Sequence, residues 1–192
     1  MTSATLGDDD ALTWFTRQTA LEDATTLRVQ SPFDYATHAR LWVPTRFPKP
    51  NETAHPAAVG ALAARCAHAL QGRTFVLTTT LRALEIVASA LQAEAELIGA
   101  SLQLLTQGSQ PRRALLQQFG DGHGKVLIGS HSFWEGIDMP GDVLQCVLID
   151  KLPFPPPNDP LVEARVKQVQ AQGRNAFDEV HVAEAAVALK QG

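Results

Sequence analysis

The apolar positions of this chain fall into short continuous runs that are separated by stretches with helical spacing. From Ala39 onward the two patterns alternate, and this order predicts β-strands separated by α-helices and a mainly parallel sheet. The expected strands are 40–44, 74–78, 102–105, 125–129 and 143–149. Because 125–129 and 143–149 are almost wholly apolar, we expect them to be the buried central strands. The pattern predicts an α/β domain with helices on both faces of the sheet.

Capping and breaking residues set the ends of the expected helices. These helices are 57–70, 81–91, Arg112–Phe119, 159–171 and 182–190. Gly72 suits the end of the first, Thr79 or Thr80 can cap the second, and Pro111 suits the start of the third. Residues 1–30 are polar and are expected to be the tail of a preceding domain or a linker, which leaves 31–192 as the domain.

Composition narrows the class of protein. The chain has 192 residues, of which 45% are hydrophobic and 19% charged, so one globular domain is expected. No apolar run approaches the ~20 residues of a membrane-spanning helix, and the N-terminus lacks the features of a secretory signal, so a cytoplasmic protein is expected. The net charge of −4 argues against a broad basic face that grips duplex DNA, but it is compatible with a narrow track for a single strand.

The histidines and cysteines do not have the spacing of a metal site or a catalytic triad. The six histidines are scattered, and Cys66 and Cys146 are expected to be packed, reduced thiols. Residues 120–125 are similar to a phosphate-binding loop, but they are one residue short of it and precede a strand, so we expect a turn. No metal site is expected in this chain.

Residues 129–142 contain the largest group of candidate functional residues in the chain. They form the end of a strand and a compact loop with two carboxylates, Glu135 and Asp138, and two glycines, Gly136 and Gly141. The glycines permit close approach of the backbone to a ligand, and Asp138 can accept a hydrogen bond from a ribose hydroxyl or orient an arginine. The alternative is that both carboxylates are ordinary surface groups.

Polar residues also follow the predicted strands, at the edge where open α/β sheets bind their ligands. Thr79, Thr80 and Ser130 can contact phosphate through their hydroxyls, and Lys151 can do so through its charge. Trp134 can stack on a base. The structural alternatives are helix capping for Thr80, a solvated side chain for Lys151 and core packing for Trp134; Phe133 is expected to be packed.

Several segments resemble the motifs of one helicase family. Residues 133–141 (FWEGIDMPG) and 149–165 (IDKLPFPPPNDPLVEAR) resemble motif V and its downstream segment in the DinG family, bacterial relatives of the XPD-type superfamily 2 DNA helicases. Residues 31–35 resemble the entry to the second motor domain, 72–80 resemble motif IV, and 188–192 resemble the approach to motif VI. The resemblance covers most of 31–192 in the order of the family.

This resemblance implies the second RecA-like lobe of an ATP-dependent helicase that moves five-prime to three-prime on DNA in repair or replication. ATP and Mg²⁺ would be bound mainly by the first lobe, which is one implied partner, and single-stranded DNA is the other. An iron–sulfur cluster is possible in the parent protein but not in this chain. The chain is expected to be a fragment, truncated within motif VI, without ATPase activity of its own.

The resemblance also implies roles for individual residues. The catalytic set would be Glu135, Asp138 and Gln191; the nucleotide would be contacted by Gly136, Asp138 and Gly141; and DNA would be contacted by Thr79, Thr80, Ser130, Trp134 and Lys151. The alternative function is a non-catalytic α/β module that binds single-stranded nucleic acid or a protein partner. A small-molecule enzyme on the same fold has only the fold in its support.

Overall fold

The computed structural model describes residue 7 and residues 9–134, 136–156 and 158–191. These residues divide into two compact units, one formed by Met1–Thr45 with Pro153–Gln191 and the other by Arg46–Leu152. The helices are, in chain order, α1 (Thr13–Thr19), α2 (Tyr35–His38), α3 (His55–Ala69), α4 (Leu81–Leu97), α5 (Arg112–Phe119), α6 (Pro160–Ala171) and α7 (Ala183–Gln191). The boundary expected near residue 30 stays a prediction.

The Arg46–Leu152 unit is built on a four-stranded sheet. Its strands are β1 (Thr74–Leu77), β2 (Gln103–Thr106), β3 (Lys125–Gly129) and β4 (Cys146–Ile149). They lie in the order β2-β3-β1-β4, and each neighbouring pair is parallel. Every side chain of β1 is buried, as the apolar run at 74–78 predicted.

Helices cover both faces of this sheet. On one face α3 and α4 pack over Val76 of β1 and over Val126 and Ile128 of β3. On the other face, α5 and the segment after β3 pack over Phe75 and Leu77. The alternation of side chains along each strand sends them to the two faces in turn, so both faces have an apolar core. The predicted α/β class with helices on both faces is confirmed.

Two strand predictions were wrong. Residues 40–44 form no strand, because no described segment pairs with them, and Leu41 is 93% exposed. The strand expected from 143 begins at Cys146, after a 3₁₀ turn at Gly141–Val143, and it is not central. Its side chains alternate between half-buried and exposed. An apolar run cannot tell a central strand from one at the end of the sheet.

The unit of Met1–Thr45 and Pro153–Gln191 has a smaller core. The carboxylate of Asp159 caps α6 by accepting hydrogen bonds from the N–H groups of Leu161 and Val162 at 2.8 and 3.2 Å. The helix expected from 182 follows a π-helical segment, Phe177–Val182, that continues into α7. The core of this unit comprises Val162, Val169, Ala176 and Val180.

No helix among the described residues is long and apolar enough to cross a membrane.

Candidate functional site

A row of buried polar side chains lies where the strands end. Leu77 is paired with Gly129 on one side and with Ile149 on the other, so β1, β3 and β4 end at the same level. The next residues, Thr78, Ser130 and Asp150, therefore lie side by side at this carboxyl edge of the sheet, and all three are buried. Carboxyl edges of parallel sheets are where α/β proteins bind ligands, so the row is the floor of the candidate site.

Two members of the row are held by internal hydrogen bonds. The Ser130 backbone N–H and hydroxyl both donate to Oε1 of Gln107, at 2.7 and 3.0 Å. The Thr78 hydroxyl lies within hydrogen-bonding distance of the carbonyls of Thr80 and Gly129, at 3.2 and 3.3 Å. The Ser130 hydroxyl proton is thus already used, and its predicted contact with DNA would require this bond to break.

Thr80 has the capping role that the sequence offered as an alternative. It is extended, and its Oγ1 accepts a hydrogen bond from the N–H of Ala83 at 3.1 Å, at the start of α4. Capping uses a lone pair of the oxygen and leaves the hydroxyl proton available, because a threonine hydroxyl is both donor and acceptor. The exposed Thr80 and the half-buried Thr79 can therefore still face a phosphate group.

Asp150 is the most unusual residue of the row, and no pattern in the sequence pointed to it. Only 5% of it is exposed, and neither carboxylate oxygen accepts a hydrogen bond from the described residues. The backbone N–H groups of Thr79 and Lys151 lie near the carboxylate but fall short of hydrogen-bonding geometry. Burial raises the pKa of Asp150, and the positive charge of Lys151 opposes this only in part.

His55, the first residue of α3, contacts the backbone of Asp150. Its Nε2 lies 2.8 Å from the backbone carbonyl of Asp150, and its Nδ1 lies 2.8 Å from that of Pro48. His55 is 4% exposed and also packs edge-on against Phe47. The contact between His55 and the Asp150 carbonyl links the start of α3 to the end of β4.

The loop after Ser130 is anchored by apolar residues and exposes its carboxylate. Phe133 and Trp134 are buried, and Ile137 and Met139 are partly buried against the same core. Asp138 lies between those last two and is exposed. Because its neighbours are packed, the backbone at Asp138 is held while its side chain faces solvent. The packing expected for Phe133 is confirmed.

Arg112 of α5 holds this loop in place. The sequence had identified Arg112 only as the first residue of an expected helix. Its guanidinium lies over the Phe133 ring, 5.6 Å from the ring centre, and donates a hydrogen bond to the Gly136 carbonyl at 3.2 Å. Gly136 has a φ of 67°, in the region that favours glycine. A cation directly after Pro111, at the start of a helix, was the available signal.

The structure does not bring every predicted residue to the carboxyl edge. Trp134 is 5% exposed, and its Nε1 has no partner among the described residues, so stacking on a base would require the loop to move. Gly141 opens the 3₁₀ turn that ends at Val143, and a Cβ on Gly122 would lie 2.1 Å from the Val143 carbonyl. Gly122 precedes β3 and therefore lies at the amino edge of the sheet. The turn that Gly141 opens thus lies near this amino edge, where β4 begins, and not at the carboxyl edge. Glu135 and the Gln191 side chain lie outside the described parts of the chain.

The described residues contain no group of three or more histidine, cysteine or acidic side chains that could hold a metal ion. What the carboxyl edge offers is an exposed carboxylate, threonine hydroxyls, a half-buried lysine and backbone groups. The carboxylate can accept hydrogen bonds from the hydroxyl groups of a ligand, and the threonine hydroxyls, the lysine and backbone N–H groups can donate hydrogen bonds to its phosphates.

Comparison with known proteins gives the family. Residues 63–192 match the family described as the helicase C-terminal domain. The whole chain is 38% identical to the ATP-dependent DNA helicase YoaA of Escherichia coli (strain K12) and 35% identical to the ATP-dependent helicase DinG of Mycobacterium tuberculosis (strain ATCC 25177 / H37Ra), and it spans 29% of each. It is 31% identical to a protein of Bacillus subtilis (strain 168) named 3'-5' exonuclease DinG, and it spans 21% of that protein.

The chain thus spans less than a third of the length of these relatives. The matches do not favour the alternative of a non-catalytic binding module. They confirm the resemblance carried by residues 133–141 and 149–165, and the chain belongs to the helicase C-terminal domain family, with DinG-type helicases among its relatives.

Proposed function

We propose that this chain is the second motor lobe of an ATP-dependent DNA helicase. The observation that carries the proposal is the family match, because it includes the polar carboxyl edge and the anchored loop that exposes Asp138. The relatives are named as ATP-dependent helicases, which supports ATP as the nucleotide. A lobe that binds DNA must be located in the same compartment as the DNA. We therefore include in this proposal the cytoplasmic location expected from the sequence.

Asp138 and the backbone at Gly136 are the groups proposed to face the nucleotide. An exposed carboxylate can accept hydrogen bonds from ribose hydroxyls or orient an arginine, and the glycine keeps the backbone open to close approach. ATP, when bound between the two lobes, supplies the free energy for movement. The phosphates and Mg²⁺ would be held mainly by the first lobe, because the chain has no GxxxxGK[ST] sequence. The contributions of Glu135, Gly141 and Gln191 stay predictions.

Thr79, Thr80 and Lys151 are proposed to contact the phosphates of single-stranded DNA. They follow β1 and β4, two neighbouring strands, so they lie along one edge of the sheet. Contacts with phosphates hold a strand without reading its sequence, as a translocating motor requires. A few such contacts are compatible with a net charge of −4.

The nucleotide role is tested by ATP hydrolysis in the parent protein. Asp138→Asn should lower DNA-stimulated hydrolysis by about tenfold or more, because it removes a preorganised charge at the nucleotide. Asp142→Asn is the matched control, since Asp142 is an exposed carboxylate in the 3₁₀ turn that follows this loop. Equal rates for both variants would refute the role of Asp138, and a parent without DNA-stimulated hydrolysis would refute the motor function itself.

The DNA role is tested by equilibrium binding of a single-stranded oligonucleotide at several salt concentrations. Lys151→Ala should weaken binding and reduce the slope of log K against log salt by about 0.7, the value for one lost phosphate contact. Lys167→Ala is the control, because Lys167 is exposed on α6 and pairs with Glu163. An unchanged slope for Lys151→Ala would contradict the contact.

Thr80 can be tested apart from its capping role. Thr80→Asp retains an oxygen that caps α4 but places a negative charge at the proposed phosphate. Its thermal stability should equal that of the wild type, whereas its affinity for the oligonucleotide should fall several-fold. Unchanged affinity would leave Thr80 with the capping role alone.

A further inference from the structure

Cys66 and Cys146 are far apart in the sequence but are brought together by one turn. The segment from Gln71 to Arg73 joins the end of α3 to the start of β1. Its Gly72 N–H donates to the Ala67 carbonyl in the last turn of α3 at 2.7 Å, and its Arg73 carbonyl accepts from the Cys146 N–H at 3.2 Å. The helix turn that carries Cys66 and the first residue of β4 are therefore attached to the same three residues.

This turn has little freedom to change. Gly72 has a φ of 88°, and a Cβ at this position would lie 2.3 Å from the backbone nitrogen of Lys125. Only glycine fits there. This turn thus holds the backbones at Cys66 and Cys146 in a fixed relative position.

Cys146 also faces the layer that contains α3. Cys146 and Leu148 lie on the same side of β4, because alternate residues of a strand share a face. Leu148 packs against the core that contains Ala63 and Ala67 of α3, so Cys146 points toward α3 as well. Each thiol is the group that acts most strongly on the other, and both are partly buried.

The contact makes the two thiols chemically different. The neighbouring Cys146 thiol lowers the pKa of Cys66 to about 7, although burial opposes this. The same contact and burial raise the pKa of Cys146. Near neutral pH a large part of Cys66 is therefore thiolate, the form that reacts with oxidants, while Cys146 keeps its proton.

We propose that Cys66 and Cys146 form an oxidisable dithiol site, in which a hydroperoxide converts the pair to an intramolecular disulfide. The Cys66 thiolate attacks one oxygen of hydrogen peroxide, the O–O bond breaks, and hydroxide leaves, so that Cys66 becomes a sulfenic acid. The Cys146 sulfur then attacks the Cys66 sulfur, the S–O bond breaks, and the sulfenic oxygen leaves as water with the proton of the Cys146 thiol. Two thiols are oxidised, and one peroxide is reduced to two waters.

The disulfide would join α3 to β4 at the amino edge of the sheet. It would enclose a long loop that contains three strands and two helices, and a cross-link over a long loop restricts the unfolded chain strongly. It lies at the opposite edge from the proposed DNA contacts, so the proposal does not rest on the motor function.

The test starts from the fully reduced chain. After treatment with hydrogen peroxide, thiols are counted in denaturant, and proteolytic peptides are weighed. We expect both thiols to disappear together, a linked peptide pair containing Cys66 and Cys146 in a monomeric chain, full recovery with dithiothreitol, and a thermal midpoint higher by several degrees. Two thiols that survive excess peroxide, or cross-links between chains instead of within one, would overturn the proposal.

Single variants test the order of the two steps. In Cys146→Ser the sulfenic acid of Cys66 has no thiol partner, so it should be trapped by dimedone. In Cys66→Ser, Cys146 should react with iodoacetamide at pH 7 at least about tenfold more slowly than Cys66 does in the other variant. Equal reactivity of the two cysteines would contradict the assignment of Cys66 as the attacking thiol. If either variant fails to fold, the experiment on the wild-type chain still decides the proposal.

Discussion

At the scale of single residues, the carboxyl edge combines side chains that serve the fold with side chains that face solvent. Thr78, Ser130 and Asp150 are buried in the row, whereas Thr80, two residues after Thr78, and Asp138, in the loop after Ser130, are exposed. Substitutions in the two sets should therefore affect different measurements: stability for the first and ligand binding for the second.

Asp150→Asn should stabilise the chain at neutral pH. Burial raises the pKa of Asp150 above its usual 3.8, so the folded state favours the protonated form. The stability linked to that proton is fully present below pH 3.8 and is lost as pH rises through the raised pKa. The neutral amide avoids a buried carboxylate without hydrogen bonds, so we expect a gain of about 1 kcal/mol or more in the free energy of unfolding at pH 7.

Urea unfolding from pH 7 downward measures this effect. The advantage of Asp150→Asn over the wild type should shrink as pH falls toward 3.8. The exposed Asp142→Asn serves as the control and should show little difference at any pH. A destabilising Asp150→Asn at pH 7 would mean that attraction to His55 and Lys151 outweighs the cost of burial.

Arg112→Lys should loosen the loop that carries Asp138. Lysine keeps the charge but loses the planar group that lies over Phe133 and donates to the Gly136 carbonyl. We expect hydrogen exchange of the amides at 136–142 to become roughly threefold to tenfold faster, which corresponds to the loss of a hydrogen bond worth about 1 kcal/mol. The exposed neighbour Arg113→Lys is the matched control, and equal exchange in the two variants would contradict the pinning role.

At the scale of elements, the packing of α3 on α4 depends on a glycine inside a helix. A Cβ on Gly60 would lie 2.4 Å from the Val87 carbonyl, 2.8 Å from the Ala90 Cβ and 2.9 Å from the Leu91 nitrogen. Glycine normally weakens a helix, so its presence at this position has a packing reason. The two helices approach closely because this side chain is absent.

Gly60→Ala should therefore destabilise the chain although alanine is the better helix former. Overpacking of this kind costs about 1–3 kcal/mol, compared with a gain of about 1 kcal/mol from helix propensity. Chemical denaturation measures the balance, and Ala57→Gly, at an exposed position of the same helix, gives the size of the propensity effect alone. A net stabilisation by Gly60→Ala would show that the two helices can move apart at little cost.

At the scale of the whole molecule, the proposed function requires a second lobe. The sequence has no GxxxxGK[ST] phosphate loop, and the described residues hold no cluster of metal ligands. We expect the isolated chain to hydrolyse no ATP above the rate of a mock purification. The Asp138→Asn chain, purified in parallel, is the control: turnover that falls in this variant would belong to the chain itself and would contradict the expectation.

Much of the fold follows from local patterns. The apolar runs at 74–78 and 125–129 gave strands, and the helical spacing and Pro111 gave α5 with its exact limits. The capping role of Thr80 was also visible, because threonine is a preferred residue directly before a helix. Residues 40–44 had the same apolar signal but no strand partner among the described residues. Strand formation needs a neighbour as well as a pattern, and the pattern alone does not supply one.

The sequence by itself determined the α/β class, the alternation of elements and the family, because periodicity and motif spacing are local properties of the chain. Only the tertiary structure decided that Asp150 is buried above His55, that Arg112 holds the loop of Asp138, and that Cys66 meets Cys146. These contacts join residues far apart in sequence, which come together only when the helices and loops pack on the sheet. The burial of these residues and the distances between them depend on how the elements pack on the sheet, and the spacing of residues along the chain does not determine that packing.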